Sequence, residues 1–343
     1  MTLATVSNNS LAIFEQMGQQ ANRAAEMHAF EEWKTRRAIN TIKRAERELM
    51  DFSIFLAEIQ NAEPLQLFTD PNAWQGITWG LVKAFIQDML KNGYAIGTVN
   101  LHLSTIKTFA KLATAAGVLS TEELAMIQIV AGYSHKEGGR IDDKRETADI
   151  STRRGYKKAD FTALSSVQAA QIKAQPETAT AQGKRDLVIL TIFLGLGLRV
   201  GELAALTADN FDLDAGTITF YREKVSKTQT HELPAETLAA VRDYLATDHQ
   251  GGNLALLRGS QRGGNLGKYG MSVQAISDRV RFYGRAIGIV NLSAHDLRHS
   301  WATLAAKAGT DLNNLMSAGG WASYAMPMRY IESSKIANEG VNL

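Results

Sequence analysis

Hydrophobic residues along this chain recur mostly at every third or fourth position, and only briefly in alternation. From Glu32 to Gln60, Ile39, Ile42, Leu49, Phe52, Phe55 and Leu56 form one apolar stripe, which predicts a long amphipathic helix. A loop holding Pro64 and Pro71 follows, then a helix over 73–91 with Trp74, Trp79, Val82, Phe85 and Leu90 inward, closed by Asn92-Gly93. The next helix, 98–116, separates into two faces. Val99, Leu103, Ile106, Ala110 and Ala113 face a core, while Asn100, Ser104, Lys107 and Lys111 repeat on the polar side. Residues 132–159 lose this periodicity, being charged and glycine-containing, and end in the basic run Arg153, Arg154, Lys157 and Lys158, as expected of an interdomain linker.

Beyond the linker, helices are predicted at 160–174 and 184–195. Gly195 and Gly197 would each cost about 1 kcal/mol inside a helix, so a break is expected there, with Arg199 opening the next helix. Thr217–Arg222 alternates and is β-branched, and Thr228–Leu233 can pair with it as a hairpin, with Lys227 at the start of the second strand. Helices at 235–247 and 272–287 complete the pattern. The expected fold class is mainly α with a small antiparallel β-sheet. Its divisions are a flexible lead-in (1–27), a helical domain (28–131), the basic linker (132–159) and a second domain (160–343).

Composition changes this picture little. At 343 residues the chain suggests two domains at roughly 150 residues each. Having no cysteine, it uses neither disulfides nor thiol chemistry. The first residues carry no basic flank ahead of an apolar core, so a signal peptide is not expected, and no window reaches the ~18 apolar residues of a membrane span. A cytoplasmic location follows. The net charge of +2 divides into −3 over residues 1–150 and +5 over 151–343, a weak lean toward a polyanionic partner in the second half.

The stretch 293–330, SAHDLRHSWATLAAKAGTDLNNLMSAGGWASYAMPMRY, gathers the chemistry. His295 and Arg298 leave one face of a helical turn. Trp321 follows the Gly319-Gly320 break, and Tyr330 comes nine residues later. Upstream, Gly197-Leu198-Arg199-Val200-Gly201-Glu202-Leu203 supplies a second arginine. Guanidiniums, an imidazole, an indole N–H and a phenol suit attack on a phosphodiester. Taken singly each residue is ordinary; an arginine there is commonly a surface ion pair and a tryptophan commonly core. Together their order and spacing resemble the tyrosine recombinase (phage integrase) family, over about residues 28–335.

That resemblance implies a C-shaped clamp made of a helical core-binding domain and a catalytic domain. It implies site-specific recombination of double-stranded DNA through a 3′-phosphotyrosine, without metal or other cofactor. In this reading Arg199 and Arg298 clamp the phosphate, Tyr330 is the nucleophile, helped toward phenolate by the guanidiniums, and Lys227 is the general acid, with Lys224 as the fallback in the hairpin. His295 donates to phosphate or helps deprotonate the tyrosine. Trp321, where histidine is commoner, donates its N–H, and Glu202 orients Arg199 or the histidine. Gly-Gly-Trp stands where Leu-Gly-His is commoner. Expected DNA contacts are Thr41, Lys43, Arg44, Arg47, Thr98, Asn100, Ser104, Lys107, Arg153, Arg154, Gln274 and Arg281. Expected partners are a site with inverted repeats, a second copy on that site and a tetramer at synapsis, on the nucleoid of a bacterium or mobile element. Ile331, Ile336, Val341 and Leu343 are candidate anchors for tail docking.

Three rival readings differ in outcome. A type IB topoisomerase would use the same chemistry to relax supercoils. A DNA-binding protein without catalysis would keep the basic faces alone. A metallohydrolase would place His295 and His299 on zinc, but the expected glutamate is missing from His295-Asp296-Leu297-Arg298-His299 and no third ligand is evident.

Overall fold

The computed structural model describes residues 8–150, 161–248, 254–261 and 265–334. It divides into two compact units, residues 1–157 and 158–343. The first unit contains helices α1 (Asn8–Thr35), α2 (Ile39–Gln60), α3 (Trp79–Lys91), α4 (Ile96–Ala115), α5 (Thr121–Ile129) and α6 (His135–Thr147). The inward face of α4 is the expected stripe, with Val99, Ile106, Ala110 and Ala113 fully buried and Leu103 nearly so. It packs against α1, α2, α3 and α5. Phe109 sits at the centre of an aromatic cluster, edge-on to Phe30 at 5.3 Å and to Trp33 at 4.9 Å. Fully buried Trp74 satisfies its indole N–H by donating to the Leu67 carbonyl at 2.9 Å.

Several elements depart from the sequence reading. Helix α1 begins within the segment expected to be a flexible lead-in; Ala, Gln, Glu and Met dominate it, all good helix formers. The single helix expected from Glu32 is two, because Ala38 turns extended (φ −64°, ψ 145°). No Gly or Pro marks that break. Trp79, expected inward, is 39% exposed beside the Thr78 cap of α3. The expected linker contains α6, opened by a reciprocal Ser134/Glu137 capping box. Buried Arg145 fastens α6 by donating to the Leu90 carbonyl at 2.7 Å. Arg153, Arg154, Lys157, Lys158 and the anchors Ile336, Val341 and Leu343 lie outside the described residues.

The second unit is built round α8 (Ala181–Leu196), whose Val188, Ile189, Leu190, Ile192 and Phe193 are buried. Around it lie α7 (Ser166–Lys173), α9 (Val200–Ala204), α10 (Ala235–Asp248), α11 (Val273–Ala286), α12 (Ala294–Lys307), α13 (Leu312–Gly319) and α14 (Ala325–Ser334). Strands β1 (Phe211–Asp212), β2 (Thr217–Arg222) and β3 (Lys227–Glu232) form the expected antiparallel sheet in the order β1-β2-β3. The register pairs Thr217 with Glu232 and Arg222 with Lys227. A second, unexpected ribbon joins β4 (Arg258–Ser260) to β5 (Leu266–Gly270). A buried ionic network holds α11 on α8. Asp186 accepts from Arg185 at 2.7 Å, from Arg279 at 2.8 Å and from the Tyr283 hydroxyl at 2.9 Å. Burial and the Asp186 charge push the Tyr283 phenol up to about 12.

Candidate active site

Two chain breaks converge to make the site. Helix α8 ends at Gly197 in the left-handed region (φ 61°), and the extended Arg199 then caps α9. Glu202 accepts the Arg199 backbone N–H at 2.8 Å with one oxygen and its guanidinium at 2.7 Å with the other. It therefore orients Arg199 and not a histidine. Helix α13 ends at Gly319, with Gly320 left-handed (φ 59°), so its last carbonyls project without helical partners. Three guanidiniums satisfy them at the negative end of the helix dipole. Arg199 donates to the Gly320 carbonyl at 2.9 Å, and Arg222 to Ala318 at 2.7 Å and Gly319 at 2.9 Å. Arg298 places one η-nitrogen on the Gly319 carbonyl and the other on that of Gly197.

Both of these glycines are dictated by indoles. A Cβ on Gly197 would come within 2.1 Å of the Trp301 ring, and one on Gly319 within 2.1 Å of the Trp321 ring. The two indoles stack at 6.1 Å, and the Arg298 guanidinium lies 4.8 Å over Trp321. Gly319 is thus the steric complement of Trp321. Burial, then the nearby Arg199, lowers Arg298 to about 10, against the opposing Glu202 charge.

Tyr330 lies on α14 and is 2% exposed. Its ring packs against Trp321 at 5.6 Å, and its hydroxyl is hydrogen-bonded to His299 Nδ1. The expectation that guanidiniums draw this phenol down needs correction: burial outweighs the pull of Arg298 and Arg329, and the net shift is upward. His299, one turn beyond His295 on α12, is buried between Phe161, stacked at 4.3 Å, and the edge of His295 at 4.2 Å. The segment carrying Phe161 is tied to α12 where Thr162 N–H donates to Asp296 at 2.9 Å and Leu164 N–H to Ser300 at 2.8 Å. His295 itself is exposed, and partial desolvation followed by the charges of Arg298, Lys224 and Arg199 lowers its pKa, with Asp296 opposing.

The structure thus brings Arg199, Glu202, His295, Arg298, Trp321 and Tyr330 together. The hairpin lysines divide. Lys224, in the turn after β2, is the one whose charge is felt at His295, whereas Lys227 lines a cavity of about 630 Å³ with His231, Trp301 and Ala318. Sequence reasoning missed Arg222 and His299. Arg222 was legible: Ile218, Phe220 and Arg222 alternate onto the buried face of β2.

The expected DNA contacts fare unevenly. Lys43, Arg44 and Arg47 on α2 are exposed, as is Ser104 on α4, while Thr41 and Thr98 are half-buried. Gln274 and Arg281 share an outer face of α11, both bonded to Asp278. Asn100 and Lys107 are committed inward. The Asn100 amide bonds both the N–H and the carbonyl of Tyr133, and the Lys107 ammonium donates to the Gln128 carbonyl at 2.8 Å.

Buried cations ringed by helix-end carbonyls beside a sequestered phenol define a site for an anionic partner. Residues 163–336, just over half the chain, match the phage integrase family, and the chain belongs to that family. It is 30% identical over 184 residues to the tyrosine recombinase XerD of Neisseria meningitidis serogroup B, covering 52% of this chain and 61% of that protein. It is 23% identical over 306 residues to the tyrosine recombinase XerC of Chlamydia pneumoniae, covering 86% of this chain and 89% of that one. In fold it is similar to a lambda integrase dimer bound to a COC′ core site, with TM-score 0.58 and 14% identity over 88% of this chain and 96% of that one. Among the described residues no helix is long and apolar enough to cross a membrane.

Proposed function

We propose that this chain is a site-specific DNA recombinase that cleaves and rejoins strands through a 3′-phosphotyrosine. The observation that carries the reading is the gathering of Arg199, Arg222 and Arg298 on the carbonyls of residues 318–320, in the same unit that holds Tyr330. Tyr330 attacks the scissile phosphorus as the bond to the 5′ oxygen breaks, and a hairpin lysine gives the leaving oxygen its proton. Arg199, whose side chain is 23% exposed, and Arg298 meet the charge that develops on the non-bridging oxygens, while Arg222, with no exposed surface, positions them. His295, at the mouth, donates to the same phosphate. The phosphoester bond is conserved in the intermediate, so rejoining needs no nucleotide.

The partner is a double-stranded site with inverted repeats, bound by two copies and paired into a tetramer, on the nucleoid of a bacterium or mobile element. The exposed basic face of α2 and the Gln274–Arg281 face of α11 meet it. Asn100 and Lys107 hold α4 in place for that contact. A randomised pool of nicked duplexes tests the reading. The unaltered chain should capture members covalently, and their sequences define the site. Tyr330→Phe should still bind those members within a few-fold but form no adduct. An adduct that survives in Tyr330→Phe and vanishes in Tyr324→Phe would overturn the assignment.

A further inference from the structure

The Tyr330 hydroxyl is bonded to His299 Nδ1 and not to the exposed His295. His299 cannot readily turn away. Phe161 stacks on one face at 16° between planes, His295 closes an edge, and 5% of its surface is exposed. The charged and titratable groups around it are His295, Asp296, Arg298, Arg329 and Tyr330. Burial, then His295, Arg329 and Arg298, hold the imidazolium down to about 4 against the pull of Asp296. The ring is therefore neutral at neutral pH, and with Nε2 carrying the hydrogen, Nδ1 is a lone pair aimed at the phenol.

We propose that His299 is the base that takes the Tyr330 proton during strand cleavage. The proposal rests on Tyr330 being the nucleophile. The O–H proton passes to Nδ1 as the phenolic oxygen forms its bond to phosphorus. The P–O5′ bond breaks with its electron pair, and the 5′ oxygen collects a proton from the hairpin lysine. On rejoining, the incoming 5′ hydroxyl returns its proton to that lysine as it attacks, and His299 returns the other proton to the departing phenolate. A bound scissile phosphate brings negative charge into a site otherwise dominated by Arg199, Arg222 and Arg298, which favours the imidazolium when it is needed. His295 is left to the phosphate.

The test uses the full chain and a nicked duplex recovered from the covalent capture. His299→Asn keeps an acceptor near the Nδ1 position but takes up no proton. It should slow single-turnover adduct formation by roughly 10²–10⁴ while DNA binding stays within a few-fold. Replacing Tyr330 by a fluorinated tyrosine of lower phenol pKa should restore much of that rate in His299→Asn and little in His295→Asn. Rescue is read as a ratio within one variant, so any loss of folded protein cancels. A His299→Asn chain that cleaves as fast as the unaltered one, or faster, would make His299 a latch and overturn the proposal. So would equal rescue in both histidine variants. No adduct even from the unaltered chain would instead overturn the phosphotyrosine reading, and this one with it.

Discussion

Gly319→Leu should be harmful here, although the resemblance drawn from the sequence leads one to expect leucine at this position. The new Cβ would stand 2.1 Å from the Trp321 ring, so either the indole or the end of α13 must move. Overpacking of this kind costs about 1–3 kcal/mol. Displacing the indole also forfeits its contact with Arg298, 4.8 Å away, worth about 0.5–2 kcal/mol. A total of about 1.5–5 kcal/mol should lower the melting temperature by roughly 3–20 °C for a unit of this size. Trp321→His opens the space, so adding it to Gly319→Leu should recover about 1–3 kcal/mol as non-additive coupling. Thermal melts of the parent, both single variants and the double variant measure this coupling directly. Additivity of the two changes within about 0.5 kcal/mol would refute the claim that the indole dictates the glycine.

Three other expectations are narrower. Trp321→Phe keeps bulk but loses the donor, and should cost on the order of 10²-fold in cleavage, whereas Trp321→His should keep much of the rate; near-normal cleavage by the Phe variant would assign the indole to packing alone. Lys227→Ala and Lys224→Ala should be compared on a substrate whose bridging 5′ oxygen is sulfur, a leaving group that needs no proton: the variant rescued by sulfur identifies the general acid, and rescue of neither would move that role off the hairpin. Stability should fall as pH drops from 6.5 toward 4, because His231 and His299 stay neutral in the fold to about 4 while the unfolded chain binds protons near 6.5; a melt in which His231→Gln leaves this acid loss unchanged would remove His231 from the effect.

The site was legible wherever chemistry and spacing coincide on one element. Arg199 behind a glycine break, His295 with Arg298 on one helical turn, and Tyr330 after Trp321 all stand where the sequence placed them. What escaped was decided by side chains meeting across the fold. His299 looked like a possible zinc partner of His295 because its real neighbours, Phe161 and Tyr330, lie 138 and 31 residues away. The burial of Tyr330, which reverses its expected pKa shift, could not be weighed from charges alone. Helix α6 escaped because its sequence, HKEGGRIDDKRET, holds one large apolar residue, Ile141; its signal lay in the Ser134/Glu137 cap and not in any apolar stripe. The β4–β5 ribbon offers only Arg-Gly-Ser and Leu-Gly-Lys-Tyr-Gly, a composition poor in strand formers.

Arg298 spans the carbonyls of Gly197 and Gly319, 101 residues before it and 21 after it along the chain. The same guanidinium that is to grip the phosphate is therefore a rivet between distant parts of its unit. A newly made chain acquires that grip only once α8, α12 and α13 have closed round it. On the function proposed above, this links competence to completeness: a nascent or partly unfolded copy lacks the assembled site, and so lacks the means to break a strand that it is not yet able to reseal.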